Sequence, residues 1–442
     1  LGGFALSELL RLKACAKEVD RTLTGRSIVL LFLQGGPPHI EFFDPKMSAP
    51  VEYRSVTGEL KTTLPGITFG GTFPKLAEIA HRLAVVRSYA SGNGGHTYAK
   101  VMTAGNVLKA TPGAIFARVR GANHPTTGMP TNQLVLPEGV QPGLKLPVNF
   151  ETSALPGLVQ PGLLGASHGA FQPSGKSDLW QDMQLRLTPE RLNDRRSLLT
   201  KLDQLRRRQD ASPQLAATHE FRQQAFDMIT RGVAEAFDLT REDPRTIERY
   251  DTSHLFQPER FQKYKDMGRV TNQLGRQMLL ARRLCEAGCG FVTVSDCGWD
   301  MHADGKDGPT HMEGLPPMGR QVDHAVRAFL DDLHSRGLSE KILLVVTGEM
   351  GRTPRINKTG GRDHWGDLTS LLLAGGGLKM GQVIGRSDAT ASKPNDEAYG
   401  PRHLLSTLMR VVFDMGEIRV RQDLPNKLKE TILDGEPIAE LF

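Results

Sequence analysis

"RSIVLLFLQGG", Arg26 to Gly36, decides the fold. An unbroken apolar run closed by two glycines has no face to give to water. It suits a strand buried on both faces, as in the middle of a parallel sheet. The same signature recurs in "RLAVVRSYA" (Arg82 to Ala90), which follows the helix-like "FPKLAEIAH". It recurs again in "GFVTVSDCGWD" (Gly290 to Asp300), "KILLVVTGEMG" (Lys341 to Gly351) and "LTSLLLAGGG" (Leu368 to Gly377). "QLVLP" and "LPVNF" are shorter strand candidates. Helical stretches between these runs predict an α/β fold with a large, mostly parallel central sheet sandwiched by helices.

The middle of the chain differs. Residues from about 177 to 287 are charged and read as helices, so they form a helical insertion beside the sheet. Within it "LTPERLNDRRSLLTKLDQLRRR" offers Thr188 as N-cap, Pro189 at the first helical position and Glu190 in the first turn. A second unit spans Pro258 to Ala287. Residues 25–442 thus read as a single domain.

Bulk composition narrows the function. Hydrophobic residues are 39% and charged residues 24% of 442, ordinary for a soluble globular chain. The net charge of +6 is mild, and no basic stripe with interleaved aromatics argues for nucleic acid. Arg206 to Arg208 read as a solvated helix face. No stretch reaches the roughly 18–20 apolar residues of a transmembrane span. Cys15, Cys285, Cys289 and Cys297 contain no C-x-x-C pair, which argues against a zinc knuckle. They read as buried thiols, with a disulfide as the alternative. The opening "LGGFALSELLRLKACA" is apolar and free of acids until Glu8. It is either the tail of a targeting segment or an amphipathic helix.

Ligands of open parallel sheets gather at the carboxyl ends of the strands. After the first strand come His39, Glu41 and Asp44. After the second come Ser88, Ser91, Asn93, His96 and Thr97. "DCGWDMHAD" brings Asp296, Asp300, His302 and Asp304. "TGEMGRTPR" brings Glu349 and Arg352, and "GGRDHWGD" brings Asp363, His364 and Asp367. Carboxylates and imidazoles converging at strand ends suit a divalent metal with mixed oxygen and nitrogen ligands. Asp300 and His302, two apart, face one way on extended backbone. Taken singly, Asp363 and His364 could cap a helix, and Glu349 and Arg352 could form a plain ion pair. The glycine loops "GNGG" and "AGGGLKMG" fit neither phosphate-cradle spacing and read as turns.

"LFLQGGPPHIEFFDPK", "GGHTYAKVMTAG", "GWDMH", "GEMGRTPRIN", "GRDHW" and "LLLAGGGLKMGQVIGRSD" occur in this order. Together they resemble the domain-of-unknown-function 1501 family, a sulfatase-like branch of the alkaline phosphatase superfamily. The resemblance covers about Arg26 to Asp423. It implies an alkaline phosphatase/sulfatase-like α/β fold, strand-end metal ligands, Zn or Mn, and up to two ions. It also implies a twin-arginine export signal, of which residues 1–24 would be the remnant and linker, and so a periplasmic or extracellular location. By the same resemblance Asp300 and His302 form one ligand pair, Glu349 is the carboxylate after a late strand, and His364 is the late histidine with Asp363 beside it. His96 and Thr97 fall near the nucleophile position. Where the superfamily ends its first strand on a ligating Asp, this chain has Gln34-Gly35-Gly36, so His39, Glu41 or Asp44 would substitute. Pro38 and Glu41 stand where the family often has Ser and Asp. No C-x-P-S-R motif is present, which argues against a formylglycine sulfatase.

The expected function is an exported metal-dependent hydrolase of phosphate or sulfate esters. Its partner would be a small anionic ester or a sulfated or phosphorylated glycan. Asp300, His302, Glu349, Asp363, His364, His39 and Glu41 are the expected metal ligands. Arg352 is expected to clamp substrate oxygens. Thr97 or an activated water would attack, with His96 as ligand or acid. The alternative is a catalytically silent binding or cell-surface protein on the same fold; a metal-dependent mutase or transferase comes third.

Overall fold

The computed structural model describes residues 21–173, 188, 191, 194, 195, 197 and 213–442. Along the chain the strands are β1 (Ser27–Leu33), β2 (Glu59–Lys61), β3 (Thr68–Gly70), β4 (Ala84–Val86), β5 (Asn132–Val135), β6 (Phe291–Asp296), β7 (Ile342–Thr347), β8 (Gly351–Arg352), β9 (His364–Trp365), β10 (Leu371–Gly375) and β11 (Gln382–Ile384). A 7-stranded sheet runs in the order β11-β4-β10-β7-β1-β6-β5. β1 lies parallel between β6 and β7, where an apolar run without alternation belongs. Only β10 runs against its neighbours β7 and β4. The expected mostly parallel α/β sheet is therefore present.

The sheet has a core on each face because side chains alternate along a strand. Val29, Leu31 and Leu33 pack with Met278, Leu279, Val322 and Phe329. These last come from the helices α2 (Leu274–Glu286) and α3 (His311–Ser335). Ile28, Leu30 and Phe32 pack on the other side with Ile115, Phe116, Leu408 and Met409. Those belong to α1 (Pro112–Arg120) and α4 (Pro401–Val412). Thus α2, assigned from the sequence to the end of an insertion, is one of the helices covering the sheet. The helix expected from Thr188 falls outside the described residues, although the Arg191 N–H donates to Thr188 Oγ1 at 3.4 Å.

"LPVNF" is not a strand. Asn149 accepts from the Glu151 and Thr152 N–H groups and closes both halves of a capping box on the helix Phe150–Ala154. Cys285, Cys289 and Cys297 are buried free thiols; Cys15 falls outside the described residues. Among the described residues no helix is long and apolar enough to cross a membrane.

Candidate metal centre

β1, β4, β6 and β7 point the same way, so their carboxyl ends share one edge of the sheet. The loop after β6 carries Asp300 and His302, that after β7 carries Glu349, and that after β4 carries His96. The two-residue strands β8 and β9 pair Arg352 with His364 and bring both to the same place. Asn93 ties the His96 loop to β7's end by donating from Nδ2 to Gly95 O at 2.7 Å and to Glu349 O at 3.2 Å.

The side chains converge on Asp300, which is 4% exposed. His302 Nε2 lies 2.9 Å and His364 Nε2 3.2 Å from Asp300 Oδ1. His96 Nε2 lies 3.2 Å from Asp300 Oδ2. The far sides of two rings meet further carboxylates. His96 Nδ1 is 2.9 Å from Glu349 Oε1, and His302 Nδ1 is 3.3 Å from Asp363 Oδ1. Donor atoms of His96, Asp300 and His364 all lie within 4.8 Å of one another.

This pattern tests whether a metal fits. A carboxylate only accepts, so Nδ1 of both His96 and His302 must carry a proton. Each Nε2 then faces Asp300, a second acceptor. The His96 ring satisfies both sides as imidazolium, or as the neutral Nδ1–H tautomer with a cation between Nε2 and Asp300; His302 Nε2 also lies 3.4 Å from Arg352 Nη1, which can donate to it. His302 Nε2 and His364 Nε2 are also 2.9 Å apart, and two imidazolium N–H groups cannot point at each other there. A cation between the rings removes that conflict, as does one neutral ring accepting from the other. Carboxylate–histidine pairs aimed at one point are the usual support of a metal-ligating imidazole.

The protein electrostatics follow the same geometry. Burial raises the Asp300 pKa, but the Arg352 charge and the hydrogen bonds from His302, His364 and His96 outweigh it and hold the carboxyl far below its usual range. Burial lowers the His96 pKa, yet Asp300 and Glu349 outweigh that and lift it to about 9. His302 is raised against the effect of burial, by Asp300 first.

Asp300, His302 and His364 are brought together, with His96 as a further donor. Glu349 and Asp363 sit behind rings instead of at the point of convergence. Glu349 Oε1 is taken by His96 and by the Gly35 N–H at 2.9 Å. Arg352 is not free to clamp an anion. Its side chain is 0% exposed, and it donates to Gly36 O at 3.0 Å, Trp299 O at 3.1 Å, Arg362 O at 3.1 Å, Gly35 O and Asp300 Oδ1, with Nη1 also 3.4 Å from His302 Nε2. It orders the strand-end loops and holds Asp300. Thr97 is exposed at the start of the helix Tyr98–Met102, next to His96.

His39 and Glu41 are not brought into the cluster. His39 Nε2 is 2.9 Å from Ala391 O, and burial lowers its pKa to about 4. Glu41 accepts from Ser55 Oγ at 2.6 Å and the Val56 N–H at 3.1 Å, and pairs with Arg362 at 3.3 Å. Burial raises its pKa, but the His311 ring beside it and Arg362 outweigh this and bring it to about 2. Asp44 pairs with Lys46 at 3.3 Å and accepts from Ser387 Oγ. The chain turns away after β1 because Gly35 and Gly36 have φ of +113° and +95°, which glycine tolerates and other residues rarely do.

Other neighbours of the site carried no signal in the sequence. The Phe150 ring packs 4.0 Å from that of His96, centroid to centroid. It reaches there through the loop that the Asn149 cap terminates. Asp266 is raised to about 6 by burial and then by the Asp300 charge.

Residues 25–442 match the family described as a protein of unknown function, DUF1501. The chain belongs to the DUF1501 family. Curated proteins give no match to it. Solved structures similar to this DUF1501 chain include a sulfatase from Pseudoalteromonas sp. at 12% identity, covering 92% of this chain and 70% of that one with a TM-score of 0.36. A lipoteichoic acid synthase from Listeria monocytogenes is similar at 7% identity over 96% of this chain and 81% of its own, TM-score 0.35. A phosphonate monoester hydrolase from Silicibacter pomeroyi is similar at 13% identity over 94% of this chain and 76% of its own, TM-score 0.34.

Gly35→Ala tests how tightly the loops are packed. A Cβ at Gly35 would lie 2.4 Å from the Asp300 backbone nitrogen, at a φ that an L side chain rarely adopts. The substitution is expected to cost about 1–3 kcal/mol in chemical denaturation and to lower metal uptake by displacing Asp300. Wild-type stability together with wild-type uptake would show that the loop yields freely.

Proposed function

We propose that this protein is an exported metal-dependent hydrolase of phosphate or sulfate esters, with His96, Asp300, His302 and His364 holding the metal. The carrying observation is the placement of His96 and His302, each with a carboxylate at both ring nitrogens. A nitrogen-rich donor set with one carboxylate favours Zn, with Mn as the second choice and a second ion open. A divalent cation there would supply Lewis-acid polarisation of an ester oxygen and lower the pKa of a water. Glu349 and Asp363 orient His96 and His302. Thr97, exposed beside His96, is the side chain nearest in sequence that could act as nucleophile, and a water is its rival. The substrate is a small anionic ester or a sulfated or phosphorylated glycan. Export by the twin-arginine route belongs to the same proposal.

One observation favours a second reading, a metal-holding protein that binds anionic glycans without cleaving them. Arg352 is spent on backbone carbonyls and Asp300, so it is lost as a clamp for charge developing in a transition state. Incubating zinc- or manganese-loaded protein with aryl phosphates, phosphodiesters and aryl sulfates separates the two. Turnover lost in His364→Ala supports the hydrolase. Binding of sulfated or phosphorylated glycans with no turnover of any ester supports the binding protein.

A further inference from the structure

Strand alternation places a layer of polar groups behind the histidines. Phe32 of β1 is level with Ser295 of β6 and Thr347 of β7. Two residues further along each chain stand Gln34, Cys297 and Glu349. Gln34 Nε2 donates to Cys297 Sγ at 3.1 Å and to Ser295 Oγ. Glu349 Oε1 accepts from the Gly35 N–H, next to Gln34 in the chain. Tyr98, two residues after His96, lays its ring 5.3 Å from that of Phe32 on this same face. Glu349 exerts the first-ranked charge effect on its phenol after burial itself.

Three oxygens of this layer are buried and find no partner among the described residues: Glu349 Oε2, Gln34 Oε1 and Tyr98 Oη. Their side chains are 0%, 1% and 1% exposed. Two of these atoms are acceptors and the third can donate. A water matches that set, since it donates two hydrogen bonds and accepts a third, the usual number for a buried water. We propose that Glu349, Gln34 and Tyr98 hold one buried water, and that Tyr98 and Gln34 act through it as positioning residues for the carboxylate that orients His96. A cation fits less well, because Glu349 Oε2 would be its only charged donor.

The consequence for metal affinity rests on the metal-centre reading above; the water itself does not. The test is a high-resolution crystal structure of the wild type and of Tyr98→Phe, with zinc competition titrations of both and of Gln34→Met. Expected is a density peak about 2.6–3.2 Å from all three oxygens. Zinc affinity should fall about 10–100-fold in Tyr98→Phe, the range for lost outer-shell support, with little change in Tm. A merely structural role would lower Tm and leave zinc affinity alone. Absence of the peak overturns the proposal, as does an anomalous signal or short contacts marking a cation. If the wild type takes up no zinc, the metal-centre reading fails instead. The density then still decides the water, and a shift of Glu349 and His96 in the Tyr98→Phe crystal decides the positioning.

Discussion

Asp300→Asn is expected to give a folded protein whose zinc binding is sharply weakened. Every histidine of the cluster points at this one carboxylate, at 2.9 to 3.2 Å. The amide keeps the shape of the side chain but removes the charge that would draw a cation between the rings. It also offers an N–H where an acceptor is needed. Zinc affinity should fall by more than about 100-fold, beyond the roughly 10–100-fold of an outer-shell partner. Asp363→Ala is the internal control. It removes the group behind His302 Nδ1 and should stay within that smaller range. Competition titration against a chromophoric chelator measures both. Equal losses in the two variants would mean that Asp300 is no more than another orienting carboxylate.

Arg352→Met will be the most destabilising of the substitutions considered. The guanidinium is fully buried and joins Gly35, Gly36, Trp299, Arg362 and Asp300, which lie on separate loops at the strand ends. Methionine fills much of the volume but removes the donors to those carbonyls and the buried guanidinium charge beside Asp300. Breaking a buried ion pair from one side costs about 3–5 kcal/mol, to be read from urea denaturation of metal-free protein. Had Arg352 been an anion clamp open to substrate, the variant would keep its stability and lose only turnover. A loss below about 1 kcal/mol would therefore restore the clamp.

The sheet was legible where the signal was strongest. β1, β6, β7 and β10 each show as an apolar run ending in glycines or polar residues, and all are buried strands. The reversed direction of β10 was not legible, because a two-sided apolar strand reads alike in both orientations. β8 and β9 are two residues each, too short for any periodicity, yet they deliver Arg352 and His364. "LPVNF" misled because its apolar residues hide the proline and asparagine that prepare a helix.

In the site, the residue types were legible and their ranks were not. D-x-H and D-H at strand ends identify Asp300, His302 and His364 as a cluster, and order along the chain adds His96 and Glu349. Which carboxylate meets the centre and which stands behind a ring depends on distances of about one side chain, and sequence spacing does not encode them. Arg352 shows the same limit. An arginine after a strand end serves equally well to hold an anion or to tie loops, and only its burial separates the two. His39 and Glu41 follow β1 as candidates should, but the positive φ of Gly35 and Gly36 turns the chain away before they arrive.

Carboxylate-backed histidines that form a metal centre must take up metal. The most direct test is elemental analysis of protein purified without chelator and then reconstituted with Zn or Mn, beside His364→Ala treated in the same way. At least one equivalent of metal is expected in the wild type, with a clear loss in the variant. No metal in the wild type after reconstitution with either ion would contradict the metal centre and leave the cluster as a network of imidazolium–carboxylate pairs.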